Sequence, residues 1–206
     1  VPSRDEILRF DEPAVPPGES PWVVPPVPSA IEVVEYDPRW PDAARRIIDR
    51  LRRALGSRAV RIEHVGSTAV PGLPAKPVID LDLTVADPAA EQAWLPQLQA
   101  AGFVLTVREP WWHGHRLLHG GRAGDGDDTE MPSNVHVFGP DSPELVKHVV
   151  FRDWLRADAA DRDRYAAAKR EAAGGPEQRM TDYNARKETA VHEVYGHAFR
   201  AAGFLD

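Results

Sequence analysis

Two carboxylates two residues apart, Asp80 and Asp82, follow a Gly66-Ser67 pair after a short connection, and these residue types together can handle phosphate. The segment reads Glu63-His64-Val65-Gly66-Ser67-Thr68-Ala69-Val70-Pro71-Gly72-Leu73-Pro74-Ala75-Lys76-Pro77-Val78-Ile79-Asp80-Leu81-Asp82-Leu83. Strand side chains alternate faces, so Asp80 and Asp82 project to the same side. Like charges on one face repel unless a cation lies between them, and a hard divalent ion with oxygen ligands, Mg²⁺ or Mn²⁺, answers that need. Glycine lets the backbone approach a ligand closely, so Gly66-Ser67 can offer N–H groups and a hydroxyl to a phosphate. Taken alone, an Asp-x-Asp is usually a strand end and a Gly-Ser usually a turn. In the order strand, Gly-Ser, connection, Asp-x-Asp strand, they point to nucleotidyl transfer.

The elements that must position these groups are legible around them. Trp40, Ala43, Ala44, Ile47, Ile48, Leu51 and Leu55 recur at helical spacing behind Pro41, with Arg45, Arg46, Arg50, Arg52 and Arg53 on the other side. Strands are expected over Ile31 to Tyr36, Ala59 to Val65, Val78 to Val85, Phe103 to Arg108, His115 to His119 and Ser133 to Phe138. A second helix is expected from Asp87-Pro88 to near Gly102. Gly120 to Pro132 reads as a mobile loop between strands. From Pro143 the chain turns helical, with a stripe of Leu145, Val149, Trp154 and Leu155. A helix over Arg162 to Ala173 follows, closed by Gly174-Gly175-Pro176, and then another with Tyr183, Ala190, Val191, Val194, Ala198 and Phe199. This order predicts an α+β fold with a mixed sheet, whose C-terminal helices close one side of the site.

The first 30 residues hold eight prolines, which remove donors and fix φ, so this stretch is read as an extended Pro-rich arm before a domain spanning 31–206. Trp22, Val23 and Val24 are too apolar for a solvated tail, so the arm should pack on the body or on a second subunit. The net charge of −7 argues against broad nucleic-acid binding. No apolar run reaches the length of a membrane span and no secretory leader is visible, so a cytoplasmic protein is expected. The absence of cysteine excludes disulfides and Cys-based zinc sites. His64 is either a core histidine or a pocket residue. His113, His115 and His119 could share a strand face, although the neighbouring Trp111-Trp112 fits packing or base stacking better than a metal. No P-loop and no Gly-x-Ser-x-Gly motif is present.

Several motifs in order resemble the GrpB family from about Ile31 to the C-terminus. They are Tyr36-Asp37-Pro38-Arg39-Trp40, the Arg61-to-Gly72 segment, Lys76-Pro77-Val78-Ile79-Asp80-Leu81-Asp82, His115-Arg116-Leu117-Leu118, Asn134-Val135-His136-Val137-Phe138, Phe151-Arg152-Asp153-Trp154-Leu155-Arg156 and Tyr165-Ala166-Ala167-Ala168-Lys169. The resemblance implies the nucleotidyltransferase fold of the DNA polymerase β superfamily, with Asp80 and Asp82 on the metal and Gly66 and Ser67 on the β- and γ-phosphates of a nucleoside triphosphate. Lys76, Arg116, Arg152 and Lys169 become candidate phosphate or acceptor contacts, each weighed against an ordinary ion pair. Some family members are fused behind dephospho-CoA kinase. The superfamily places a third carboxylate on a neighbouring strand, where this chain has His136. Alternation puts Asn134, His136 and Phe138 on one face, so His136 should sit beside the aspartates with a raised pKa, as metal ligand or as stand-in cation. Three functions follow. The leading one is a metal-dependent nucleotidyltransferase acting on a small-molecule acceptor. The others are a non-catalytic module that binds a nucleotide or a partner, and an ATP-dependent carboxylate–amine ligase using the same pocket.

Overall fold

Alternating apolar and polar residues build a five-stranded mixed sheet in the computed structural model of the chain, which describes residues 1–10, 13–27, 30–121, 131–173 and 180–206. The strands are β1 (Arg61–Val65), β2 (Ile79–Thr84), β3 (Val104–Glu109), β4 (His115–Gly120) and β5 (Ser133–Phe138), in the order β1-β2-β5-β4-β3. Only β2 and β5 run parallel; Asp80 lies opposite Asn134 and Asp82 opposite His136. The other neighbours are antiparallel.

One sheet face is apolar. Ile79, Leu81, Leu83, Val135, Val137 and Leu118 meet helix α2 (Trp40–Leu55), which buries Trp40, Ala43, Ala44, Ile47, Leu51 and Leu55, and helix α3 (Leu95–Ala100). The other face carries Asp80, Asp82, Asn134 and His136. Over it lie α4 (Pro143–Ala157), α5 (Ala159–Ala172) and α6 (Met180–Ala201). Buried Asp161 ties these three helices together, accepting from Trp154 Nε1 at 2.7 Å and pairing with His197 Nδ1 at 2.7 Å.

The structure corrects several expectations. The arm contains a short helix, α1 (Arg4–Leu8), because the prolines fall outside it and Ser3 and Glu6 form a reciprocal capping box. Its Ile7 packs against Tyr195 and Phe199. Further along, the arm lies on β3: Val23 N donates to Thr106 O (2.9 Å) and Arg108 N to Pro21 O (2.8 Å). The strand expected over Ile31 to Tyr36 shrinks to one bridge between Val34 and Ala75. Prolines at 74 and 77 deprive the partner segment of the donors a longer ladder needs. The second helix begins only at Leu95, after a 3₁₀ turn at Glu91–Ala93, with Pro96 in its first turn. Helix α4 buries Glu144, Lys147 and Arg152 beside Leu155, so its inward face is largely polar and not the apolar stripe expected. The acidic segment 122–130, expected to be a loop, and Gly174-Gly175-Pro176, expected to stop a helix, lie outside the described residues.

Candidate functional site

A cleft of about 510 Å³ opens between the polar sheet face and helices α4, α5 and α6. Its floor is Asp80, Asn134 and His136, one wall is Gly66, Ser67 and Thr68, and the opposite wall includes Tyr165, Lys169, Tyr183 and Lys187. Local chemistry fixes the first wall. Gly66 turns the chain out of β1 at φ +68°, and a Cβ there would lie 2.5 Å from Asp80 Oδ2, so only glycine fits. The chain then enters a 3₁₀ turn, Ser67–Ala69. His64 braces this turn through Nε2 to Thr68 Oγ1 at 3.1 Å, and burial, with Arg156 and Arg152 nearby, pushes its pKa down to about 4. It is a structural histidine. Arg156 holds Ala69 O through Nε and Nη2 at 3.0 and 2.8 Å.

Three of the chain's four lysines, Lys76, Lys169 and Lys187, line this cleft. Lys169 is 2% exposed and its ammonium donates to Pro74 O beside the Tyr165 ring. Burial, with Lys187 and Arg170 nearby, pushes its pKa down to about 7. Lys187 Nζ lies 3.5 Å from Tyr165 Oη and 5.1 Å from the Tyr183 ring centre.

Asp80 and Asp82 share a face as alternation requires, but their surroundings differ. Asp80 lines the cleft and accepts from Asn134 Nδ2 at 2.8 Å. Asp82 is 1% exposed, with both carboxylate oxygens against His148 Nδ1 of α4 at 3.0 and 2.9 Å. Burial opposes charge on His148, yet the Asp82 carboxylate, with Glu144 behind it, outweighs burial and raises the imidazole to about 9. A cation is therefore already present beside Asp82, supplied by the protein. Sequence reading missed His148; its signal was its spacing on α4, four residues after Glu144 and four before Arg152.

His136 reaches the expected face but not the expected state. Its Nδ1 lies 3.0 Å from His115 Nε2, and burial, with His115 alongside, pushes its pKa down to about 4 instead of up. Asp82 and Asp80 still act to raise it, as expected of the carboxylate pair, but burial and His115 outweigh them. Arg116 is placed on the opposite sheet face, because it is one residue out of phase with His115 and Leu117. Its Nε donates to Glu91 Oε1 at 2.9 Å, and it does not line the cleft. Arg152 is also consumed structurally: Nη1 donates to Glu63 Oε2 and His64 O, both at 2.9 Å, clamping α4 to β1. His113, His115 and His119 do not converge on a metal, and among the described residues no group of three or more His, Asp or Glu is placed to hold one.

The family resemblance implies Mg²⁺ at Asp80 and Asp82. Asp82 is buried against the raised-pKa His148, which points one bifurcated Nδ1–H at its two oxygens, Asp80 shares an oxygen with Asn134, and the third carboxylate position holds a neutral imidazole. This donor arrangement does not fit a magnesium site.

A five-stranded mixed sheet with helices on both faces defines an α+β fold, in which a Gly-Ser turn and an Asp-x-Asp strand meet at the cleft. The sequence model described as GrpB protein matches residues 30–197, and the chain belongs to the GrpB family. It is 43% identical over 166 residues to the UPF0157 protein BH1888 of Halalkalibacterium halodurans, covering 81% of each. It is 35% identical over 187 residues to a dephospho-CoA kinase of Mycolicibacterium paratuberculosis, covering 82% of this chain but 46% of that protein. The crystal structure of the conserved protein GrpB from Enterococcus faecalis shares the fold, with a TM-score of 0.70 at 24% identity over 83% of this chain and 99% of that one. Among the described residues no helix is long and apolar enough to cross a membrane.

Proposed function

We propose that the cleft binds a nucleoside triphosphate, with the phosphates between the Gly66-Ser67-Thr68 turn and the lysines of α5 and α6. The observation that carries this reading is the gathering of Lys76, Lys169 and Lys187 around the cleft that this turn lines, in a chain that otherwise relies on arginine for its cations. Lysine is a compact point charge suited to phosphate oxygens. Tyr165 and Tyr183 supply aromatic surface for a base or ribose. Because His148 already neutralises Asp82, binding is expected to be largely independent of Mg²⁺. This favours a nucleotide-binding module over a two-metal transferase.

The test is calorimetric titration with ATP, ADP and AMP, with and without Mg²⁺ or Mn²⁺, for the parent and for Ser67→Ala. Losing a hydroxyl that meets a charged phosphate should weaken ATP by about tenfold and AMP far less. Equal losses would show that Ser67 does not meet the outer phosphates. Absence of binding by the parent would end the nucleotide reading. The transferase and ligase readings are tested alongside, by following pyrophosphate or phosphate release across pools of small acceptors. Metal-dependent release would displace the module reading.

A further inference from the structure

Glu109, His115 and His136 form a hydrogen-bonded chain that runs from the edge of the sheet to the cleft floor. Glu109 ends β3, His115 begins β4 directly opposite it, and His136 is on β5. All three side chains lie on the polar sheet face. Glu109 Oε2 is 2.7 Å from His115 Nδ1, and His115 Nε2 is 3.0 Å from His136 Nδ1. The two rings are stacked, with centres 5.3 Å apart and planes at 23°. His115 is 4% exposed, so both its nitrogens find their partners within the protein.

The chemistry of imidazole makes this chain directional. A neutral imidazole has one N–H and one bare nitrogen. The Glu109 carboxylate accepts, so His115 must carry its proton on Nδ1, which leaves Nε2 bare. His136 must then place its own proton on Nδ1 to satisfy that lone pair. Its Nε2 is left bare, on the ring edge away from His115, and His136 lines the cleft next to Asp80. A carboxylate at the sheet edge therefore sets the hydrogen-bonding character of the cleft floor two residues away.

We propose that Glu109 and His115 are positioning residues that lock His136 in the Nδ1–H tautomer, so that its Nε2 accepts a hydrogen bond from an O–H or N–H group of the ligand in the cleft. This rests on the nucleotide reading above and assigns a recognition element within it. A ribose hydroxyl or an exocyclic base amine is the matching donor. Phosphate oxygens, which only accept, are directed away from His136 and toward the lysines. The floor and the lysine wall thus discriminate the two ends of a nucleotide.

The experiment is ¹⁵N NMR of the full chain labelled at histidine, first without ligand. In the parent, His136 should show a pyrrole-type Nδ1 and a pyridine-type Nε2. Glu109→Leu removes the acceptor, so His115 should turn its proton to Nε2 and donate to His136 Nδ1. His136 should then carry its proton on Nε2, reversing the pattern. His115→Phe, a second variant that keeps the ring packing, should release His136 to a mixture of tautomers. A parent His136 protonated on Nε2, or a Glu109→Leu pattern identical to the parent, overturns the relay. ATP is then added. The parent's Nε2 resonance should move toward the hydrogen-bonded range, and Glu109→Leu should bind ATP about tenfold more weakly. ATP that binds by calorimetry without moving Nε2 overturns the recognition role. ATP that does not bind at all overturns the nucleotide reading and this role with it, while the tautomer measurement still decides the relay.

Discussion

Replacing His148 with alanine leaves the Asp82 carboxylate buried without its cation, and the cost follows from the geometry. The imidazole is raised from 6.5 to about 9, which corresponds to ~3 kcal/mol of preference for the charged pair. The side chain is 26% exposed, so solvent screening brings the expected loss to ~2–3 kcal/mol. The sign with pH is fixed. A folded pKa above the unfolded one means that the folded state holds the extra proton between 6.5 and about 9. Stability from the pair is complete below 6.5 and falls as pH rises through about 9. Lys169, pushed down to about 7, works in the opposite sense over an overlapping range, so the parent's own pH profile mixes the two. The difference between parent and His148→Ala removes the Lys169 contribution. Urea denaturation should therefore give a difference of ~2–3 kcal/mol near pH 6, shrinking to ~1 kcal/mol near pH 10, where a neutral hydrogen bond to Asp82 remains. The same variant removes the cation and the bifurcated N–H from Asp82, so Mn²⁺ titration should show tighter binding than in the parent. A stability difference that is equal at both pH values would refute the charged pair.

Gly66→Ala should cost ~1–3 kcal/mol and displace Asp80, since the new methyl would meet its Oδ2 in a backbone conformation that alanine resists; denaturation and ATP titration of the variant check this. Arg116→Met should lower stability by ~2–4 kcal/mol, because it breaks a buried pair with Glu91, and leave ATP affinity unchanged; a large loss of affinity would return Arg116 to the site. Lys169→Met should weaken ATP about tenfold with little loss of stability, because burial already penalises its ammonium. In thermal or urea unfolding the variant should also lack the parent's gain in stability between about 7 and 10.5.

What the sequence determined by itself was local and periodic. The spacing of Trp40, Ile47, Leu51 and Leu55 specified α2, because a helix must bury one stripe. Alternation put Asp80, Asp82, Asn134 and His136 on one face, because strand side chains have a period of two. The same alternation already separated Arg116 from His115, whereas the family motif grouped the two. Tertiary structure alone decided which groups met across that face. His148 comes from a helix 66 residues beyond Asp82, and no local pattern encodes which carboxylate it neutralises. The state of His136 was likewise decided by His115 on the neighbouring strand, since a pKa depends on the burial and charges assembled around a group and not on the residue's own strand. Helix α4 hid its role for a related reason: its inward face is charged, and hydrophobic periodicity finds only the faces that bury carbon.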